Sequence, residues 1–109
     1  MNSSPEILNE SFCAYLYTVP NRERLAEHID THHLADDSEA ITSQLEAVVK
    51  TCEDHLYNYP GGVPWTTTFV AEFRSHLQRA YPWLNAQSFA RIMAFAQWLC
   101  WHDGLDAPQ

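Results

Sequence analysis

A chain of 109 residues is long enough for one folded domain and leaves little room for a second. Hydrophobic residues make up 46% of the chain and aromatic residues 13%, which argues against intrinsic disorder. The formal net charge of −8 at pH 7 opposes direct binding to nucleic-acid phosphates and to anionic membrane surfaces.

Apolar residues recur at three- and four-residue steps, and no alternating strand pattern competes with them. We therefore expect an all-α fold in which residues 1–109 form a single domain, a compact bundle of about five helices. The first predicted helix spans about 4–18, and a second, short helix begins at about 21. The third runs from 37 or 38 to 57, the fourth from 64 or 66 to 80, and the last from about 86 to 103. Residues 105–109 are expected to form a frayed tail.

Capping residues and prolines set the predicted boundaries. Ser4 and Pro5 mark the start of the first helix, and Pro20 is expected to end it. Asn85 is a favourable N-cap for the last helix, and Gly104 suits the left-handed position that follows a helix end.

The last helix, about 86–103, is apolar on nearly all sides, and this pattern predicts a central position in the bundle. Its aromatic residues also permit another hypothesis. Trp98 and Trp101 are three residues apart and therefore neighbours on one side of the helix. Because tryptophan is a frequent interface anchor, these two residues are candidates for the interface of a homodimer or other helical assembly.

The N-terminus and the cysteines together predict a cytoplasmic protein. The first residues lack the basic and apolar segments of a secretory signal, and no stretch approaches the roughly 20 apolar residues of a membrane-spanning helix. Cys13, Cys52 and Cys100 are widely spaced and each lies in an apolar pattern, which favours reduced, buried thiols over disulfides.

The stretch 28–33 is the closest approach to a metal-site motif. His28 and His32 lie four residues apart, so on a helix their imidazoles share one face. With Asp30 and His33 nearby, a metal-binding protein is a further hypothesis. However, Asp30 does not occupy the glutamate position of the His-Glu-x-x-His motif, and no matching pair of ligands occurs on another helix.

No catalytic signature is complete. Cys52 and His55 are three residues apart, but the apolar setting of Cys52 disfavours the thiolate that a nucleophile requires. We therefore predict a protein that is not an enzyme, with no catalytic residue, no metal ligand and no cofactor.

The negative charge is concentrated in the first half of the chain. Residues 1–60 contain eleven of the fourteen acidic residues but three of the six lysines and arginines. Asp36 and Asp37 lie at the start of the third helix, where they also favour the helix dipole. Glu39, Glu46 and Glu53 repeat every seven residues and so fall near one line along that helix. A face that serves only solubility is the alternative interpretation.

The segment 57–65 contains two prolines, two glycines and three aromatic residues. Its restricted backbone suits either an aromatic lid over the end of the bundle or an exposed anchor beside the acidic helix. The sequence does not distinguish these two arrangements.

These features predict a small acidic domain that masks a basic surface of another protein, such as a nucleic-acid-binding groove. Inhibitors, immunity proteins and antitoxin-like proteins share this general profile, which is a likeness of class and not of family. The predicted partner-binding residues are Glu27, Asp30, Asp36, Asp37, Glu39, Glu46, Glu53, Asp54, Tyr59 and Trp65. Their charge is expected to give a fast, salt-sensitive encounter.

Overall fold

A computed structural model describes residues 4–108 and confirms the all-helical fold. Its five α-helices are α1 (Pro5–Tyr15), α2 (Arg22–Thr31), α3 (Ser38–Tyr57), α4 (Thr67–Ala80) and α5 (Ala86–Asp103). Two short strands, β1 (Leu16–Tyr17) and β2 (Val19–Pro20), pair as an antiparallel hairpin, and a 3-10 turn (Ala35–Asp37) precedes α3. None of the helices within residues 4–108 is long and apolar enough to cross a membrane.

Local capping residues explain where four of the helices begin. The side-chain oxygens of Ser4, Asn21, Thr66 and Asn85 each accept a hydrogen bond from the backbone N–H three residues later, at 2.9–3.2 Å. Gly104 ends α5 in the left-handed conformation, with φ of +69°. These positions confirm the predicted helix starts and the predicted end of α5.

The first helix ends three residues earlier than predicted. Tyr15 is its last residue, and the chain then reverses through the β1–β2 hairpin around Thr18, whose φ is +67°. Pro20 disfavours a helical conformation at the residue before it, so Val19 is extended. The N–H of Asn21 donates to the carbonyl of Tyr15 at 2.8 Å, which closes this connection before α2.

The C-terminal tail is not frayed, contrary to the prediction. The N–H of Val63 donates to the carbonyl of Leu105 at 2.8 Å, and the N–H of Ala107 donates to the carbonyl of Val63 at 2.9 Å. The prediction was wrong because these bonds join residues distant in sequence, which no local pattern reports. Gln109, also part of the predicted tail, lies outside the described residues.

The core lies where α1, α3, α4 and α5 meet. α1 contacts α2, α3 and α5, and α3 contacts both α4 and α5. Each fully buried large apolar side chain contributes roughly 1.5–3 kcal/mol relative to exposure. The largest ones are Phe12, Leu16, Ile41, Leu45, Val48, Cys52, Leu56, Val63, Phe69, Phe73, Leu77 and Ile92.

α5 is central on one side and open on the other. It contacts α1, α3 and β1, and its inner face is buried from Ser88 to Cys100, including Phe95. Its outer face is exposed, and Trp101 on that face is 73% exposed. Although α5 is apolar on nearly all sides, only its inner face is buried in the core.

Candidate protein-binding site

Five of the predicted carboxylates lie in the chain segments that lead into and begin α3. We name them the acidic end, and they are Glu27, Asp30, Asp36, Asp37 and Glu39. They come from the second half of α2, the 3-10 turn and the first turn of α3. All are exposed except Asp37, which is half-buried.

A tight helix ending brings these three segments together. His33 adopts a left-handed φ of +57°, and the N–H of Leu34 donates back to the carbonyl of Ile29 at 2.9 Å. This arrangement normally uses glycine and lets the chain leave α2 within one turn. The N–H of Asp37 then bonds the carbonyl of Leu34 at 3.0 Å, so α3 starts almost at once.

No lysine or arginine pairs with the acidic end in the part of the chain that the structure describes. The side-chain ion pairs between residues 4 and 108 are Arg22–Glu46, Lys50–Asp54 at 3.4 Å and His102–Asp103 at 2.7 Å. None of residues 25 to 49 is a lysine or an arginine. The carboxylates of the acidic end therefore have no lysine or arginine partner within residues 4–108.

Three of the six lysine and arginine side chains lie over aromatic rings. The guanidinium groups of Arg24 and Arg91 lie 4.7 Å and 4.6 Å from the ring centroid of Tyr17, and Arg74 lies 4.7 Å from that of Phe89. The negative face of each ring attracts the guanidinium, so these contacts are favourable without a carboxylate partner.

His28 adds little positive charge beside the acidic end at neutral pH, because its pKa is lowered. Burial lowers the pKa of His28 below its ordinary value, the nearby His32 lowers it further, and Glu10 opposes the shift. The rings of His28 and His32 lie 4.3 Å apart. Within residues 4–108, no group of three or more His, Cys, Asp or Glu side chains is placed to hold a metal ion.

No family model, curated protein or solved structure matches this chain.

The glutamate row of α3 is not a uniform docking surface. Glu39 is exposed at the acidic end, but Glu46 pairs with Arg22 of α2. Glu53 is half-buried. The pKa of Tyr15 is raised mainly by burial and next by Glu46, and Glu53 lies near enough to add to this shift. Only the first member of the row thus contributes an unpaired, exposed charge.

Asp54, also a predicted partner-binding residue, is paired with Lys50, which lies four residues before it. It lies near the C-terminal end of α3, sixteen residues after Ser38. At about 1.5 Å per residue, this separation is about 24 Å along the helix. We therefore place Asp54 outside the acidic end.

Tyr59 and Trp65 also lie away from the acidic end, because they follow the opposite end of α3. Both are half-buried against Phe69, with ring centroids 4.9 Å and 5.5 Å from its own. The indole Nε1 of Trp65 donates to Asp106 at 2.7 Å. Of the two arrangements open for segment 57–65, the structure shows the aromatic lid over the end of the bundle.

Cys52 is a core residue. Burial raises the pKa of its thiol to about 12, and Glu53 adds to the shift, so the thiol is protonated at neutral pH. His55 instead faces α4, where its ring stacks on that of His76 at 5.1 Å. Cys100 is also buried, Cys13 is half-buried, and all three cysteines are unbonded to one another.

The sequence did not predict two features of the fold. One is the buried Asn9, which joins α1 to the start of α5. The other is an apolar groove between α4 and α5, with Arg74 at its edge. Neither has a local sequence signal, because each depends on which helices become neighbours in the fold.

Proposed function

We propose that this chain is a non-enzymatic protein-binding domain whose acidic end docks on a basic surface of a partner protein. The observation that carries the proposal is that the five carboxylates of the acidic end, close together along the chain, have no lysine or arginine ion pair among the described residues. A partner that brings such cations would supply the ion pairs that are absent among residues 4–108.

The chemistry of the acidic end defines the partner that it fits. Arginine can donate two parallel hydrogen bonds to one carboxylate, and lysine binds a carboxylate as a point charge. Both residues bind phosphate groups in the same way. A groove that binds nucleic-acid phosphates therefore presents suitable donors. Occupying such a groove would block the partner, which is the action of an inhibitor, immunity protein or antitoxin-like protein.

Charge alone is expected to act mainly on the speed of encounter. Opposite fields raise association rates, and salt screens them over about 8 Å at physiological ionic strength. Buried, hydrogen-bonded charge pairs formed after docking then slow dissociation. Binding should therefore weaken steeply as the salt concentration rises.

Two matched triple variants test the proposal. In one, the acidic end is neutralised by Asp36→Asn, Asp37→Asn and Glu39→Gln. In the control, three exposed carboxylates elsewhere are neutralised by Glu6→Gln, Glu23→Gln and Glu72→Gln. Both variants remove three negative charges from the same net charge of −8, so only the position of the change differs.

The immobilised wild-type chain and both variants are exposed to lysate of the native host at low salt, and retained proteins are identified by mass spectrometry. We expect a partner with a basic surface that binds the wild type and the control, elutes with salt, and is lost from the acidic-end variant. Retention of that partner by all three proteins would contradict the proposal. Elution that is insensitive to salt would contradict it as well.

A further inference from the structure

The outer face of α5 differs in character from the acidic end. We name it the α5 face, and it consists of Ala86, Ala90, Met93, Ala94, Gln97 and Trp101. None of these residues is charged. All are exposed except Met93, which is half-buried, and Trp101 is the most exposed large hydrophobic residue between residues 4 and 108.

A groove of about 250 Å³ borders this face between α4 and α5. Its apolar walls include Val70 and Phe73 from α4 and Phe89 from α5, while Ala90 and Met93 belong also to the α5 face. Arg74 is at the edge, with its guanidinium over the ring of Phe89. The same surface thus combines a protruding indole with an apolar cleft of about the size that an indole needs.

We propose that a second copy of this chain occupies the groove, through antiparallel pairing of two α5 helices about a two-fold axis. Ala90 and Trp101 are eleven residues apart, about 16 Å along the helix. With the axis midway between them, Trp101 of each copy reaches the level of Ala90 in the other. Ala94, close to the axis, has a small side chain that permits close approach of the helices.

Charge favours this face over the rest of the surface. Two copies that each carry −8 repel one another in general, but neither the α5 face nor the groove contains a carboxylate. In the antiparallel arrangement, Arg74 of each copy lies towards the C-terminal end of the other α5. That end carries the negative pole of the helix dipole, and Arg74 also offers a cation to the incoming indole.

The available area indicates a weak, reversible dimer. α5 has 18 residues and is about 27 Å long, and α5 with the adjoining edge of α4 is about 20 Å wide. The pairing would therefore bury about 1,000 Å² in total, at the lower end for specific interfaces. Micromolar dissociation is the expected outcome, and the acidic end remains free in such a dimer.

Sedimentation velocity tests this dimer at about 0.3 M salt, which screens the general repulsion, over roughly 1–500 µM protein. The variants are Trp101→Ala, which removes the indole, and Ala90→Glu, which places a charge in the groove. Ala40→Glu is the matched control, since Ala40 is an exposed alanine on α3. Circular dichroism confirms that each variant is folded.

We expect the wild type and Ala40→Glu to change from monomer to dimer over this range. Trp101→Ala and Ala90→Glu should each weaken dimerisation at least about tenfold. A wild type that stays monomeric throughout would overturn the proposal. Dimerisation that neither Trp101→Ala nor Ala90→Glu weakens would overturn it equally, because the interface would then lie elsewhere.

Discussion

Asn9 and Ser88 join α1 to the first turn of α5 through a buried hydrogen bond, in which the Oγ of Ser88 donates to the Oδ1 of Asn9 at 2.6 Å. The same Oδ1 accepts from the N–H of Asn85 at 3.0 Å. The Nδ2 of Asn9 donates to the carbonyls of Pro5 and Trp83, at 2.8 Å and 2.7 Å. Every polar group of this side chain is therefore satisfied, although it is only 5% exposed.

We predict that Asn9→Ala lowers the free energy of unfolding by about 3 kcal/mol. It removes four hydrogen bonds and leaves buried partners unsatisfied. Urea denaturation followed by circular dichroism measures the change. A loss below about 0.5 kcal/mol would show that water replaces the side chain without cost.

Ser11 provides the matched control on the same helix. Its side chain is fully buried, but its Oγ has no hydrogen-bond partner in the structure. Removing an unsatisfied hydroxyl group ends a desolvation penalty, so Ser11→Ala should be neutral or should stabilise the fold by about 1 kcal/mol. Equal destabilisation by Asn9→Ala and Ser11→Ala would contradict the network account.

The docked tail predicts a difference between two adjacent glycines. Gly62 has φ of +90°, and a Cβ on it would lie 2.8 Å from the Cα of Ala107. Gly61 has φ of +77° and open space around it. We predict that Gly62→Ala destabilises the protein by about 2–3 kcal/mol, and Gly61→Ala by about 1 kcal/mol from backbone strain alone.

Hydrogen exchange reports directly on this contact. In Gly62→Ala, the amide of Ala107, which bonds the carbonyl of Val63, should lose protection while the core of α3 keeps it. In Gly61→Ala, that amide should remain protected. Unchanged protection in Gly62→Ala would mean that the tail does not pack against this glycine.

Stability should fall as the solution becomes acidic. The pKa of His55 is lowered from its ordinary value of 6.5 by burial and then by His76, with Glu72 acting in the opposite direction. The unfolded chain therefore binds a proton at higher pH than the folded chain does. The contribution is fully present above about pH 6.5 and is lost as the pH falls through the lowered pKa of folded His55.

We predict that His55→Gln flattens this decrease, because it removes a group that titrates differently in the two states. Thermal melts of the wild type and the variant between about pH 7.5 and 4.5 provide the comparison. His28, whose pKa is lowered too, should account for part of the remaining slope. Parallel pH profiles for the two proteins would contradict this role of His55.

Local chemistry made the helices predictable from the sequence. Asn21, Thr66, Asn85 and Gly104 act within one turn of their own positions, so a pattern of residue types reports them. The β1–β2 hairpin was not predicted, because Thr18 takes a left-handed conformation that a β-branched residue rarely adopts.

The candidate site was predictable only in part. The clustering of acidic residues around the start of α3 is visible in the sequence, since the carboxylates are close along the chain. The pairing of Glu46 with Arg22 and the positions of Tyr59 and Trp65 depend on contacts between separate elements. The same is true of the arginines that lie over Tyr17 and Phe89 instead of near carboxylates.

The most direct test of the central claim is the salt dependence of association with the captured partner, measured for the wild type and both charge-neutralised triple variants. We predict that the association rate constant of the wild type falls at least about tenfold between about 50 mM and 500 mM salt. The control should follow it, and the Asp36→Asn, Asp37→Asn, Glu39→Gln variant should associate slowly at every salt concentration. Identical salt dependence for all three proteins would contradict docking through the acidic end.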